Sequence, residues 1–560
     1  MSEPRVSSRL IALILRFRRD TRANLAVIFA LALLPVLAAI GSATDYTMAT
    51  RMKAKMQSAA DAASVASISE KSAGYLAATL MTSNGPVPAG VTDATNIFNG
   101  NLAIAGYTNL AVTSTVTKTG PTLTSTVQFS AQVPAVFMKV LGYQTLSISG
   151  TSKSTSSLPL YLDFYLTLDV SGSMGLPSTP TEAGRMEAIS PDNWVQYRSG
   201  CTLACHFAPQ KSACVDPPVT PPAAPPANPS TTTTSYTQQY NTNNYCMGYV
   251  YSRLGQTALT NLINSASTKS VPKQVPGLPD AMLSGLNTTV TAGSPNSLIA
   301  GNSSSLPYSI PAVSSCPTAG TDNCIQLRLD AVGNAVNALF QTANSPAYET
   351  IPNQFRIGLY PFIQYLDSSY SPLTSSINGD PETSGTINYA AANLATLLDT
   401  NTNSTLGSGG THIDTALDSI NTLIKSVGDG STSSDTLPYV FLITDGAQDN
   451  QTKIVPNGSW SGSNHATVID PIGTTVCSQL KNRGIIVSVL YIPYQPINPT
   501  NSSFAGDEDD AANNNIPNIP PSLQGCASPG YFYTANSPAD ITAALQAMFQ
   551  HALTTAHIIN

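Results

Sequence analysis

The stretch Asp169-Val170-Ser171-Gly172-Ser173-Met174 directly follows an apolar run, Leu158 to Leu168. An apolar strand that ends in Asp-x-Ser-x-Ser carries one carboxylate and two hydroxyls at its C-terminal tip. These are hard oxygen donors, the kind that a hard divalent cation such as Mg²⁺ takes. The pattern points to binding through a metal rather than to cutting or transfer.

Downstream of this tip, helix and strand signals alternate. Gln326–Thr342, Ile413–Val427 and Pro538–Ala552 read as helices, the last capped by Ser537 with Pro at its first position. Phe355–Ile363, Tyr439–Thr444 and Ile485–Ile492 read as strands. Strands that are apolar throughout and separated by helices imply a doubly wound α/β fold, a parallel sheet covered on both faces. In such a sheet ligand sites form outside the carboxyl ends of the strands. Three segments bring oxygen to that edge: Asp169/Ser171/Ser173, Gly409-Gly410-Thr411 at a helix start, and Thr444-Asp445-Gly446 directly after a strand. Together they offer two carboxylates and three hydroxyls, with room for water and one external ligand. Mg²⁺, or Mn²⁺ in its place, suits that incompletely satisfied octahedral shell.

Asp-x-Ser-x-Ser, Gly-Gly-Thr and Thr-Asp-Gly, in this order and each in its expected element, resemble the metal-ion-dependent adhesion site of a von Willebrand factor A domain, a Rossmann-like fold. The resemblance implies that Ser171, Ser173 and Thr411 ligate the metal directly. Asp169 and Asp445 would hold it partly through water, and a partner carboxylate would fill the open position. The departure from the family is an insertion at about 175–324, directly after Met174. It contains a Pro- and Thr-rich tract, 217–234, which reads as an exposed, mobile loop.

The N-terminal part has a different character. Residues 1–22 carry six Arg against Glu3 and Asp20, a net of +4 that leaves −11 on the other 538 residues. Ala23 to Thr44 is a run of 22 uncharged, mostly apolar residues. At ~1.5 Å per residue it reaches ~33 Å, enough for a hydrocarbon core of ~30 Å. The preceding Arg cluster keeps the N-terminus cytoplasmic and sends everything after Asp45 across. A cleaved signal peptide is the bland alternative, but the run is long and has no clean Ala-x-Ala site. Leu10–Leu15 is too short to span and is expected at the membrane surface.

Beyond the span, residues 45–84 read as a helical stalk, with Met48, Met52, Met56, Ala60 and Ala63 recurring near helical period until Asn84-Gly85-Pro86 stops them. An amphipathic helix packed on the next domain is equally compatible with that pattern. Residues 85–157 read as a small β-rich unit with strands at 111–117, 123–129 and 144–152, and Gly120-Pro121 between the first two. Residues 158–560 form the α/β domain with its insertion.

Arg22-Ala23-Asn24-Leu25-Ala26-Val27-Ile28-Phe29-Ala30, leading through Asp45-Tyr46 to Gln57-Ser58-Ala59-Ala60-Asp61-Ala62-Ala63, resembles bacterial Tad pilus assembly proteins of the TadE/TadG type. TadG-like members join such an anchor to a von Willebrand A domain. The resemblance implies a single-pass inner-membrane protein with its bulk in the periplasm. Its partners would be the membrane, an acidic protein ligand and other pilus assembly components. A surface adhesin or sensor with no pilus role is the second reading.

Composition narrows the remaining classes. Only 10% of residues are charged, against ~25% in ordinary globular domains, which suits a surface facing outward. An acidic body with no basic stripe excludes nucleic acid. The eight cysteines, Cys201, Cys205, Cys214, Cys246, Cys316, Cys324, Cys477 and Cys526, suggest disulfides in an oxidising compartment, with Cys477 paired to Cys526. Cys201-x-x-x-Cys205-His206 is one residue too long for haem attachment and lacks a partner pair at zinc spacing. Asp507-Glu508-Asp509-Asp510 lacks the pattern of an EF-hand and reads as a solvated loop. No His-Glu-x-x-His, Gly-x-Ser-x-Gly or Walker motif occurs among the sites of His206, His412, His465, His551 and His557 or elsewhere. Ser173 as a nucleophile would need His412 as its base, and no enzyme is expected.

Overall fold

A computed structural model describes residues 21–102, 105–183, 315–320, 324–399, 403–455, 460–463, 465–471, 475–496 and 508–556. The Arg cluster up to residue 20, Leu10–Leu15, the tract 217–234, Cys201, Cys205, His206, Cys214, Cys246 and His557 lie outside the described residues. The chain divides into two compact units, 1–158 and 159–560.

In the first unit one helix, α1 (Thr21–Ala66), runs from the apolar segment into a folded core. Its first half exposes Ile28, Phe29, Leu31, Val36, Leu37 and Ile40, and it is long and apolar enough to cross a membrane. Its second half is amphipathic. Ala49, Met56, Ala59, Ala60 and Ala63 are buried with Phe98, Val127, Phe129, Val133 and Ile148. Alanines on the buried face let the helix lie close to the strands, and Ser64 reaches the Ser152 and Ser154 hydroxyls at 2.9 and 2.8 Å. Of the two readings of residues 45–84, stalk or packed amphipathic helix, the second describes the helix up to Ala66, whose apolar stripe is covered by the sheet. After Ala66 the chain turns into α2 (Ala73–Thr79), capped by Ser72.

The sheet of this unit has the order β1 (Gly85–Pro86), β2 (Thr108–Thr119), β3 (Thr122–Pro134), β4 (Thr145–Ser157), antiparallel throughout. Period-two alternation buries Leu123, Val127, Phe129 and Val133 on one face of β3. The β2–β3 hairpin turns at Gly120, whose φ is +56°. A helix, α3 (Pro88–Asn101), crosses the β-rich segment and was not expected there. Its Gly, Thr and Asn content is poor in helix formers, and its stability comes from burying Gly90, Ala94 and Phe98 at four-residue spacing.

The second unit is built on a six-stranded sheet. In chain order its elements are β5 (Leu162–Asp169), α4 (Arg328–Ala343), β6 (Phe355–Phe362), β7 (Ser371–Thr374), α5 (Ile387–Ala392), β8 (Gly409–Thr411), α6 (Ile413–Leu423), β9 (Leu437–Thr444), β10 (Asp449–Lys453), β11 (Trp460–Ser461), α7 (Val476–Asn482), β12 (Ile486–Tyr491), α8 (Glu508–Asn515), α9 (Ile519–Cys526), β13 (Phe532–Thr534) and α10 (Pro538–Ala556). Spatial order in the main sheet is β13-β12-β9-β5-β6-β7. Every pairing is parallel except that of the edge strand β7, which runs antiparallel to β6. The sheet is therefore mixed at its edge rather than wholly parallel. β8, β10 and β11 form a separate small antiparallel sheet.

All eight residues of β5 are buried, as a central strand covered on both faces requires. Leu162, Phe164, Leu166 and Leu168 face one core with Val332 and Leu339 of α4 and Leu545 and Phe549 of α10. Tyr165 faces the other core, with Ile413, Leu417 and Ile420 of α6, Leu480 of α7 and Ile519 and Leu523 of α9. Ser537 caps α10 by accepting the Asp540 amide at 3.2 Å. Cys477 and Cys526 are bonded, joining α7 to the end of α9, and a second disulfide links Cys316 to Cys324.

Candidate metal centre

The parallel register of β5 with β9 pairs Leu168 with Ile443, so Asp169 and Thr444 end their strands side by side. Thr444 Oγ1 donates to Asp169 Oδ2 at 2.6 Å, while the Ser171 amide donates to Asp169 Oδ1 at 3.0 Å. The Gly446 amide in turn donates to Thr444 Oγ1 at 2.9 Å. These three bonds fix the Asp169 carboxylate and curl the chain after β9 so that Asp445 lies beside it. Gly446 has φ +78°, and a Cβ there would strike Ile519 and Leu523 of α9. The Gly of Thr-Asp-Gly is thus dictated by backbone conformation and by a tight neighbour.

After Asp169 the chain makes a short 3₁₀ turn, Gly172–Gly175, which places the Ser171 and Ser173 hydroxyls 3.3 Å apart. Both serines are buried, as are Asp169 and Asp445. Burial raises the pKa of Asp445, and the neighbouring Asp169 charge raises it further, against Arg328, the Ser173 hydroxyl and the Ala447 amide. Burial raises that of Asp169 too, opposed by the hydroxyl and amide bonds it accepts from Ser171 and Thr444.

Thr411 arrives from a different direction. It ends β8, opposite Asp449 of β10, and the next amide, His412, donates to Ile363 O at 3.0 Å just beyond β6. A Cβ at Gly410 would collide with Asp449 O, and one at Gly409, where φ is +121°, with the Thr452 backbone. Gly-Gly is what lets β8 lie against β10 and deliver Thr411 to the carboxyl end of the main sheet. Asp399 braces this approach: its Oδ2 accepts the Gly409 amide at 2.9 Å and the Ser408 hydroxyl at 3.1 Å, and its own amide donates to Val170 O at 3.3 Å.

The structure therefore groups Asp169, Ser171, Ser173 and Asp445 closely and sets Thr411 at the same sheet edge. His412 does not pair with Ser173: its Nε2 is 2.9 Å from Gln451 O. Two further residues shape the site and were missed by sequence reasoning. One is Asp399. The other is Arg328, at the start of α4, buried, with Nη1 3.8 Å from Asp445 Oδ2 and Nη2 donating to Pro493 O at 3.0 Å. Arg328 sits inside an apolar pattern, where nothing in the sequence marks it as facing a carboxylate.

The donor set can be tested against a cation. Neither Asp445 oxygen meets hydrogen-bond geometry with a partner among the described residues. Only the Ser173 hydroxyl, the Ala447 amide and the Arg328 guanidinium offset its charge, and a buried carboxylate so thinly satisfied is costly beside a second one. A divalent cation would satisfy them, and carboxylate plus hydroxyl oxygens are the donors Mg²⁺ and Mn²⁺ accept. No group of three or more His, Cys, Asp or Glu gathers at metal-ligand spacing among the described residues, so such a centre relies on its hydroxyls.

The feet of the insertion flank this centre. Arg328 N donates to Leu176 O at 2.8 Å and Ser178 N to Gln326 O at 2.9 Å, so the chain leaving Ser173 is tied to the chain entering α4. Buried Glu182 accepts the Gly320 and Gln326 amides at 2.9 and 2.7 Å. Asp330 accepts those of Cys316 and Leu327 at 3.0 and 2.8 Å.

Two units, one with an apolar helix and one with a hydroxyl-rich carboxylate site on a largely parallel sheet, define a mixed α/β protein. Residues 24–70 match the family model described as putative Flp pilus-assembly TadE/G-like. Among curated proteins no match was found. The solved structures similar to the chain include proximal thread matrix protein 1 from the mussel byssus, at 16% identity and TM-score 0.23, covering 40% of this chain and 43% of that one. The pilus adhesin SpaC from Lactobacillus rhamnosus GG gives 14% and 0.25, covering 41% and 28%. The vWF domain of the type V pili tip protein Mfa5 from Porphyromonas gingivalis gives 13% and 0.24, covering 41% and 89%. The chain thus spans less than half the length of the first two, and TM-scores this low carry nothing over to it.

Proposed function

We propose that this chain is a non-enzymatic, membrane-anchored protein that binds an acidic protein partner through Mg²⁺ or Mn²⁺ in a von Willebrand A-type domain. The observation that carries the reading is the pair of buried carboxylates, Asp169 and Asp445, gathered with the Ser171 and Ser173 hydroxyls at the carboxyl edge of the sheet, neither Asp445 oxygen having a hydrogen bond of good geometry among the described residues. Asp169, Ser171, Ser173, Thr411 and Asp445 would hold the ion, which when bound offers an electrophilic position for a carboxylate of the partner. The chain's own residues prepare that position. Thr444 and the Ser171 amide orient Asp169, Asp399 seats the β8 approach of Thr411, and the 3₁₀ turn presents the two serines together.

The setting we infer is Tad/Flp-type pilus assembly or anchoring, supported by the TadE/G-like match over residues 24–70. The N-terminus would be cytoplasmic and the bulk of the chain periplasmic, supported by the Arg-rich residues 1–22 before the apolar run. Calorimetric titration of the detergent-solubilised full chain with MgCl₂ and MnCl₂ tests the centre. The wild type should bind and the Asp169→Ala variant should not. Equal heats from both would remove the site, and a partner captured equally with and without chelator would remove the metal from the interaction.

A further inference from the structure

The loop between β3 and β4 presents apolar side chains to its surroundings in an unusual concentration. Val136, Phe137, Val140, Leu141 and Tyr143 are all exposed, Val140 to 86%. A soluble surface does not gain by holding five such groups within eight residues, and a contiguous patch of this kind marks a surface that something covers.

Its position says what covers it. The carboxylate of Asp45, buried at 2% exposure, accepts the Val136 amide at 3.1 Å, the Phe137 amide at 2.8 Å and the Met138 amide at 2.7 Å. One helical turn earlier, Gly41 lets the loop touch the helix backbone: a Cβ there would lie 2.5 Å from Phe137 Cβ. Gly41 and Asp45 share one face of α1, four residues apart, and together they form a seat for the loop. Asp45 is the first charged residue after the apolar run Ala23–Thr44, and Gly41 lies within that run. The loop is therefore clamped across the level at which α1 stops being apolar.

We propose that the loop Val136–Tyr143 is a membrane-seating wedge. Its apolar side chains enter the headgroup and acyl boundary of the leaflet from which α1 emerges, to a depth of roughly 5–10 Å. Tyr143 suits the interface, where aromatic rings with a polar tip collect, and exposed Lys139 can reach lipid phosphates while burying its stem. The loop is a 3₁₀ turn (Met138–Leu141) whose first amides are held by Asp45 rather than by its own strand ends. It arrives at the bilayer already ordered, so little conformational entropy is lost on insertion. The proposal rests on the anchor reading of α1 and is independent of the metal centre.

The full chain, with Trp194→Phe and Trp460→Phe as background, is reconstituted in vesicles of phosphatidylcholine and phosphatidylglycerol. Val140→Trp is compared with Thr119→Trp, an exposed position at the opposite end of β3's hairpin. Emission from position 140 should shift to the blue and be lost when the acyl chains carry bromine, while emission from position 119 should stay red and unquenched. Equal, unquenched emission from both positions in a chain that resists alkaline carbonate overturns the wedge and leaves the anchor standing. A blue shift at 140 without bromine quenching assigns the patch to a protein and also overturns it. A chain stripped by carbonate refutes the anchor, and the wedge with it.

Discussion

At Asp445 the protein keeps a buried carboxylate approached only by the Ser173 hydroxyl, the Ala447 amide and Arg328 at 3.8 Å. Removing Arg328 leaves a buried charge uncompensated, which costs about 3–5 kcal/mol in comparable buried pairs. Arg328→Met should therefore lower stability most in chelator, and millimolar Mn²⁺ should restore much of the loss by neutralising Asp445 in its place. Urea unfolding of the variant with and without Mn²⁺ checks this, and an identical Mn²⁺ effect in wild type and variant would contradict it. The site residues contributed by single loops, Asp169, Ser171, Ser173 and Asp445, are legible because each motif is a local string following an apolar strand. Arg328 and Asp399 are not, because they reach the centre through chain segments remote in sequence, and a lone charge in an amphipathic pattern reads as solvent-facing.

Among the elements, β8 is the one whose position depends most on a side chain being absent. Gly410→Ala places a methyl against Asp449 O, so β8 must move off β10. Overpacking of this kind costs roughly 1–3 kcal/mol. Since Thr411 moves with the strand, metal affinity should fall about tenfold or more, each 1.4 kcal/mol being a factor of ten; calorimetry reads the change. The disulfide between α7 and α9 encloses 49 residues of separation, and the chain-entropy relation puts its contribution at no more than about 4 kcal/mol. The double change Cys477→Ser with Cys526→Ser should shift the urea midpoint of the second unit accordingly. The four inner strands β5, β6, β9 and β12 were readable because continuous burial leaves a continuous apolar run, whereas the short, partly exposed edge strands β7 and β13 were not. The small sheet of β8, β10 and β11 was not, since Asp449–Lys453 is polar and has no apolar alternation to mark it as a strand. α3 was hidden for the opposite reason, its poor helix formers being held by tertiary burial.

Over the whole molecule, α1 has 46 residues, about 69 Å of helix at ~1.5 Å per residue. A hydrocarbon core would take ~30 Å of it, and the second half packs into the first unit's core. Ala60→Leu, at a fully buried position against the sheet, should destabilise that unit by about 1–3 kcal/mol without releasing the chain from membranes. Fractionation after alkaline carbonate, paired with unfolding of the solubilised chain, separates the two effects. The apolar run marked the candidate span, but its continuation into a domain core was beyond the sequence pattern, since a stalk and a packed helix share the same period.

The tied feet of the insertion carry a consequence for how the chain can change over time. Glu182 and the backbone bonds of Leu176 with Arg328 and of Ser178 with Gln326 hold the departing and returning chain together, while Asp330 and the Cys316–Cys324 bond order the returning side alone. Closing a longer segment between fixed ends costs only ~0.6 kcal/mol per doubling of its length. Residues 184–314 can therefore be lengthened, shortened or exchanged with small effect on folding of the second unit. A lineage could diversify what surrounds the candidate metal centre while leaving Asp169, Ser171, Ser173 and Asp445 unaltered.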